Sequence, residues 1–231
     1  MAPFKEFSNW NVRASDETEP IEPYRRYYLI CEGANTEKFY FYSLINHKQE
    51  LKIHQMIDIV FVERTDEDLH MSNPKRLFEH AEKVKESHED FDPDRDKIVI
   101  VFDADIYAND SETYATLLQM GNDKAYIMGV SNPSFEVFLL LHIENSYENI
   151  IIPNESRIIE NKKEGRQRCI CKLLSETTGI NPKTNKKIGE LALSVEIAIN
   201  QECKINQDIL NCIGIITSNI ANIIQKIRDD N

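Results

Sequence analysis

The sequence predicts an α/β fold, with a mainly parallel sheet flanked by helices and a helical C-terminal part. Three observations lead there. Four short runs rich in Ile, Val, Tyr and Phe each end in polar or turn residues. Helical patterns separate these runs, and strands alternating with helices imply βαβ units. One run, IVIVF at 98–102, is apolar without interruption, as a parallel strand covered on both faces must be.

The elements follow in order. The polar stretch 1–24, with Pro20 and Pro23 and little periodicity, reads as a flexible arm. Strands are expected at 27–31, 58–62, 97–102 and 125–130. A helix over 36–46 carries Glu37 in its first turn, where the helix dipole favours an acid. A second helix, 74–89, has Asn73 as a cap, Pro74 at its first position and a stripe of Leu77, Ala81 and Val84. A third spans about 111–120. SFEVFLLLHIE, 134–144, is apolar nearly all round and predicts a helix buried deep in the fold. Asn132 and Pro133 separate it from the preceding strand. Beyond residue 150 the chain turns polar and basic, with helices expected near 164–178, 189–203 and 215–228. The predicted organisation is a core at 25–150 and a helical extension at 151–231 packed on it.

Charge narrows the function. The 27 Lys and Arg against 39 Asp and Glu leave a net charge of −12. A general nucleic-acid coat protein would be basic, so any nucleic-acid contact must be local or assisted by a cation. Seven glycines fall in no GxxxxGK pattern, so the chain is not itself a P-loop ATPase. The five cysteines show no CxxC spacing and read as buried thiols. No apolar run is long enough to span a membrane, and the first residues lack a signal core. A cytoplasmic protein with no membrane partner is expected. The apolar segment IGIITSNIANIIQKI, 213–227, suits a homo-oligomer interface as readily as the core.

Three acids carry the chemical signal. Glu32 directly follows the first predicted strand, and Asp103 and Asp105 directly follow the third. Ligands of α/β sheets bind outside the carboxyl ends of the strands. If those two strands are parallel neighbours, the acids gather at one edge. Clustered carboxylates repel, and a hard cation such as Mg²⁺ (or Mn²⁺) converts the repulsion to attraction. Such an ion polarises a phosphate while a carboxylate moves a proton. Lys162, Lys163, Arg166 and Arg168, with Lys183, Lys186 and Lys187 beyond, form the one basic-rich stretch, a weak candidate for gripping a nucleic-acid backbone. Arg25 and Arg26 precede the first strand as further candidates at the site.

ICEGANTEKFYF, VFDADIY and SNPSFEVFLLLH, in this order, resemble the RloB family, a bacterial Toprim-type group linked to phage defence. The resemblance covers roughly residues 26–228. It implies a Toprim-like, Rossmann-like core and a Mg²⁺-dependent nuclease acting on DNA or RNA. It also implies an abortive-infection type of defence with an ATPase partner. Carried onto this sequence, Glu32 would be the general acid/base and a metal ligand, and Asp103 and Asp105 the metal pair. Gly33 would let the backbone turn tightly beside the phosphate. Glu37 would support the acids from behind or act as a helix-end charge. Asn132 and Glu136 match the NPxFE element, with Glu136 either a further metal ligand or a structural hydrogen-bonding group. His142 matches too, although a histidine on an apolar helix is more often a satisfied core residue. Two rival readings stand beside the nuclease. One is another metal-dependent phosphotransfer or phosphohydrolase enzyme. The other is a non-catalytic subunit that binds an ATPase or a phage trigger.

Overall fold

Alternate side chains of the third apolar run point to opposite faces, and both faces are covered. In the computed structural model, which describes residues 23–63, 74–88 and 90–230, this run forms strand β3 (Lys97–Asp103). Val99 and Val101 enter one core with Tyr27, Leu29 and Cys31 of β1 (Arg25–Cys31). Ile98, Ile100 and Phe102 enter a second core with Tyr28 and Ile30. Burial on both faces is what the unbroken apolar pattern requires.

The main sheet has five strands, ordered β2 (Ile57–Phe61), β1, β3, β4 (Ile127–Asn132) and β7 (Thr217–Ser218). Strands β2 and β4 lie parallel to their neighbours β1 and β3. The β1–β3 pair is parallel, with Cys31 opposite Val101. The first face is covered by helix α1 (Thr36–Asn46) and the C-terminal elements, the second by α2 (Pro74–Ser87) and α3 (Ser111–Asp123). The edge strand β2 is blunted. Lys48 Nζ donates to the Ile57 carbonyl at 2.8 Å, and the Ile59 N–H donates to Asp58 Oδ1 at 2.9 Å. Occupied edge groups discourage pairing with another strand.

The four predicted strands and the first three helices are present, with ends shifted by a few residues. Four later segments differ. The expected helix 134–144 is α-helical only in α4 (Glu136–Leu140). Beyond it the chain tightens, with the His142 N–H donating to Leu139 O and the Ile143 N–H to Leu140 O. The Gln201 amide takes up the Leu141 and Ile143 carbonyls at 2.8 and 2.7 Å, so the tighter turn leaves these two satisfied. After α5 (Glu155–Glu160), residues 163–168 form a hairpin of β5 (Lys163–Glu164) and β6 (Gln167–Arg168). Gly165 turns it at φ +72°, and α6 (Cys169–Thr178) begins beyond it. The region 189–203 is a 3₁₀ segment, Lys186–Ser194, followed by α7 (Val195–Glu202). Residues 215–228 hold a strand, β7 (Thr217–Ser218), before α8 (Ile220–Asp229).

The C-terminal part therefore contributes to the sheet as well as covering it. Strand β7 pairs antiparallel with β4. Asn219 bonds both the Val130 N–H and the Met128 carbonyl at 2.8 Å. Buried Glu202 accepts the Ser218 hydroxyl and the Ala221 and Asn222 N–H groups, which caps α8. The predicted arm falls almost wholly outside the described residues. Among the described residues, no helix is long and apolar enough to cross a membrane.

Candidate active site

Parallel pairing of β1 with β3 brings the first acids together. The Glu32 N–H donates to the Val101 carbonyl at 2.9 Å, so the ladder runs one residue past β1. The Asp103 N–H in turn donates to Glu32 Oε2 at 3.2 Å. On the other side β4 places Ser131 opposite Asp103, and its hydroxyl donates to Asp103 Oδ1 at 3.3 Å. Ala104 is fully buried and its N–H bonds the Ser131 carbonyl, which anchors the turn between the aspartates. Asp105 then opens a single 3₁₀ turn, Asp105–Tyr107.

Glu136 joins from the first turn of α4 and is almost fully buried. Its carboxylate accepts the Ser134 hydroxyl at 2.7 Å and contacts Lys183 Nζ at 2.6 Å. Lys183 arrives from far along the chain. Thr36 donates to the Pro182 carbonyl at 3.1 Å and Asn35 to the Lys183 carbonyl at 3.2 Å, which ties that loop to the start of α1. Arg168 Nη1 lies 2.5 Å from Asp105 Oδ2. A cleft of about 520 Å³ opens among these groups, lined by the acids Glu32, Asp103 and Asp105 and by the bases Lys163, Arg166 and Arg168.

The electrostatics are those of crowded acids. Enclosure in the cleft, followed by the charges of Glu37, Glu136 and Glu32, holds the Asp103 carboxyl well above the usual carboxylate range. Burial pushes Glu136 the same way, but Lys183 and Ser134 outweigh it and its carboxyl lies below its ordinary value. Lys183 loses solvation and gains more from Glu136 and Glu37, so its ammonium is held charged. Cys171, which also lines the cleft, is pushed up to about 12 by burial and by Glu136, which leaves an inert thiol.

Glu37 belongs to this constellation, since its buried carboxylate acts on both Asp103 and Lys183. It also explains Gly33. A Cβ there would lie 1.9 Å from Glu37 Oε2, so a larger residue would displace the Glu37 carboxylate. Of the described glycines only Gly165, Gly179 and Gly214 adopt positive φ, so Gly33 does not serve as a left-handed turn.

Other sequence candidates lie elsewhere. Arg25 pairs with Asp230 and Arg26 with Asp90, at the start of β1, whereas Glu32 follows its end. Seven residues of strand separate the two ends by roughly 20 Å, so these arginines do not flank the site. Lys162 pairs with Glu160 outside the cleft lining. Asn132 donates to the Cys212 and Ile215 carbonyls and braces the C-terminal segment. His142 is a satisfied core residue between Tyr40 and the Phe138 carbonyl. Conversely, Lys183 and Arg168 emerge as site residues. Sequence marked them only as members of a basic stretch, because nothing local says which lysine or arginine of a polar segment folds back onto an acid.

Among the described residues, no group of three or more His, Cys, Asp or Glu side chains is close enough to hold a metal ion alone. The donor set nevertheless fits Mg²⁺ or Mn²⁺. It offers hard carboxylate oxygens, and Mg²⁺ takes only one or two from a protein when phosphate and water complete its shell. The repulsion on Asp103 is relieved by a cation beside it.

Fold and cleft together define an α/β protein whose acids meet at the carboxyl ends of neighbouring parallel strands. Residues 27–227 match the model of the RloB-like protein family, and the chain belongs to that family. No curated protein and no solved structure matches it.

Proposed function

We propose that this chain is a metal-dependent nuclease that hydrolyses phosphodiester bonds in DNA or RNA through a Toprim-like site. The observation that carries this reading is the contact of Glu32 with Asp103 across the β1–β3 ladder, at a cleft that Lys163, Arg166 and Arg168 also line. Asp103 and Asp105 would hold the ion, with Glu32 beside them. A bound Mg²⁺ or Mn²⁺ supplies Lewis acidity to the phosphate and lowers the pKa of water. Glu32, part-exposed at the cleft, moves a proton to or from the attacking or leaving oxygen. Glu136 is committed to Lys183 and Ser134, so it serves as a fixed charge that holds Lys183 in place. Lys163 and Arg166 line the cleft, where they would contact the polynucleotide. Family membership supports a place in anti-phage defence of the abortive-infection type, with an ATPase partner.

The test is cleavage of mixed DNA and RNA by the purified chain with Mg²⁺ or Mn²⁺, with and without that partner. Activity is expected to require the metal and to fall at least a hundredfold in Glu32→Gln and Asp103→Asn, in keeping with loss of a general acid/base or a metal ligand. Undiminished cleavage by both variants refutes the assignment of the site to Glu32 and Asp103, and none by the wild type with its partner present refutes the nuclease.

A further inference from the structure

Arg168 and Asp105 are 63 residues apart in sequence and meet at the mouth of the cleft. Their side chains are 54% and 23% exposed. An exposed ion pair of this kind contributes little to stability, on the order of 0–1 kcal/mol. It can therefore exchange partners readily. Arg168 ends a hairpin of only two residues per strand, turned by Gly165, whose basic side chains Lys163, Arg166 and Arg168 line the same cleft as the acids. The guanidinium occupies one oxygen of a carboxylate that the proposed function assigns to the ion. An ion on the other oxygen would still share that carboxylate with a guanidinium, and like charges so close repel.

We infer that Arg168 is a latch on Asp105 that a polynucleotide releases. The inference rests on the nuclease reading and adds its regulation. In the idle protein Arg168 neutralises Asp105 and weakens metal binding. When a phosphate backbone enters, the phosphate next to the scissile one offers the guanidinium a bidentate partner whose field is reinforced by the neighbouring phosphates of the polyanion. Arg168 turns to it, and Asp105 becomes available to the ion. Metal and polyanion then bind with positive coupling, and the coupling is reciprocal. The site is loaded where substrate is present.

The test is titration calorimetry of Mn²⁺ into the full chain, with and without a short phosphorothioate oligonucleotide that resists cleavage. Wild type, Arg168→Gln and Arg166→Gln are compared. Arg166 is the control, because it removes the same charge from the same hairpin. The oligonucleotide is expected to tighten Mn²⁺ binding to wild type. Arg168→Gln is expected to bind Mn²⁺ about two- to fivefold tighter without oligonucleotide and to lose that factor from the coupling. Arg166→Gln is expected to weaken the oligonucleotide and to shift Mn²⁺ affinity much less. Equal tightening in both variants would mean general electrostatics, and no tightening in Arg168→Gln would mean no latch; either result overturns the inference. Absence of Mn²⁺ binding in all three proteins removes the metal site itself, and the latch with it.

Discussion

His142 shows how a residue's environment decides its role. The Tyr40 hydroxyl donates to its Nε2 at 2.9 Å, and Nδ1–H donates to the Phe138 carbonyl at 3.0 Å. A carbonyl only accepts, so the tautomer follows. Burial lowers the imidazole pKa from 6.5 to about 4. Between those values the unfolded chain binds more protons than the folded one, so stability is lost as pH falls through that window. The loss from this residue is expected to be about 3 kcal/mol between pH 7 and 4. Denaturant unfolding across that range checks it, and His142→Gln should flatten the slope. Asp103 behaves in the opposite sense, because burial and the charges of Glu37, Glu136 and Glu32 hold its carboxyl above its ordinary value. The sequence marks Asp103 and Glu136 as candidates, but only their neighbours give them shifts of opposite direction.

At the scale of elements, the site depends on how α1 is seated. The 3₁₀ segment Lys186–Ser194 packs against it, and a Cβ on Gly189 would lie 2.2 Å from the Phe39 carbonyl. That neighbour is helix backbone and cannot swing aside. Gly189→Ala is expected to cost about 2–3 kcal/mol in urea unfolding, the usual penalty of overpacking. Because α1 starts just after Glu32, the same variant should lower metal affinity as α1 shifts. Sequence predicted α1 well, since its acidic first turn beyond the strand end is a local signal. It predicted a plain helix over 189–203 because periodicity does not report how closely another backbone approaches. The hairpin was missed for a related reason. Its strands are two residues long, too short for a period to be visible.

For the whole molecule, the crowded acids set stability against function. The Asp103 carboxyl is held above its ordinary value, so the folded protein binds more protons there than the unfolded chain does. The metal-free protein should then lose stability as pH rises above the unfolded aspartate range. A divalent cation should restore it by about 2.7 kcal/mol at a hundredfold excess over Kd, or roughly 5–10 °C in Tm. Asp103→Asn is expected to melt higher than wild type without metal and to show no gain on addition of Mn²⁺. Differential scanning calorimetry at neutral pH measures both effects. A wild type that gains nothing from Mn²⁺ would contradict the ion site.

The sequence by itself determined the α/β class, the four parallel strands and the acids at their ends. These are local facts, because hydrophobic period and turn chemistry act over a few residues. Tertiary structure alone decided that β1 and β3 are neighbours, so that Glu32 and Asp103 share one edge. It alone chose Lys183 and Arg168, among many bases, to face Glu136 and Asp105. Pairing between side chains 47 and 63 residues apart is set by how the chain closes on itself, and no local pattern encodes which charged side chain will arrive.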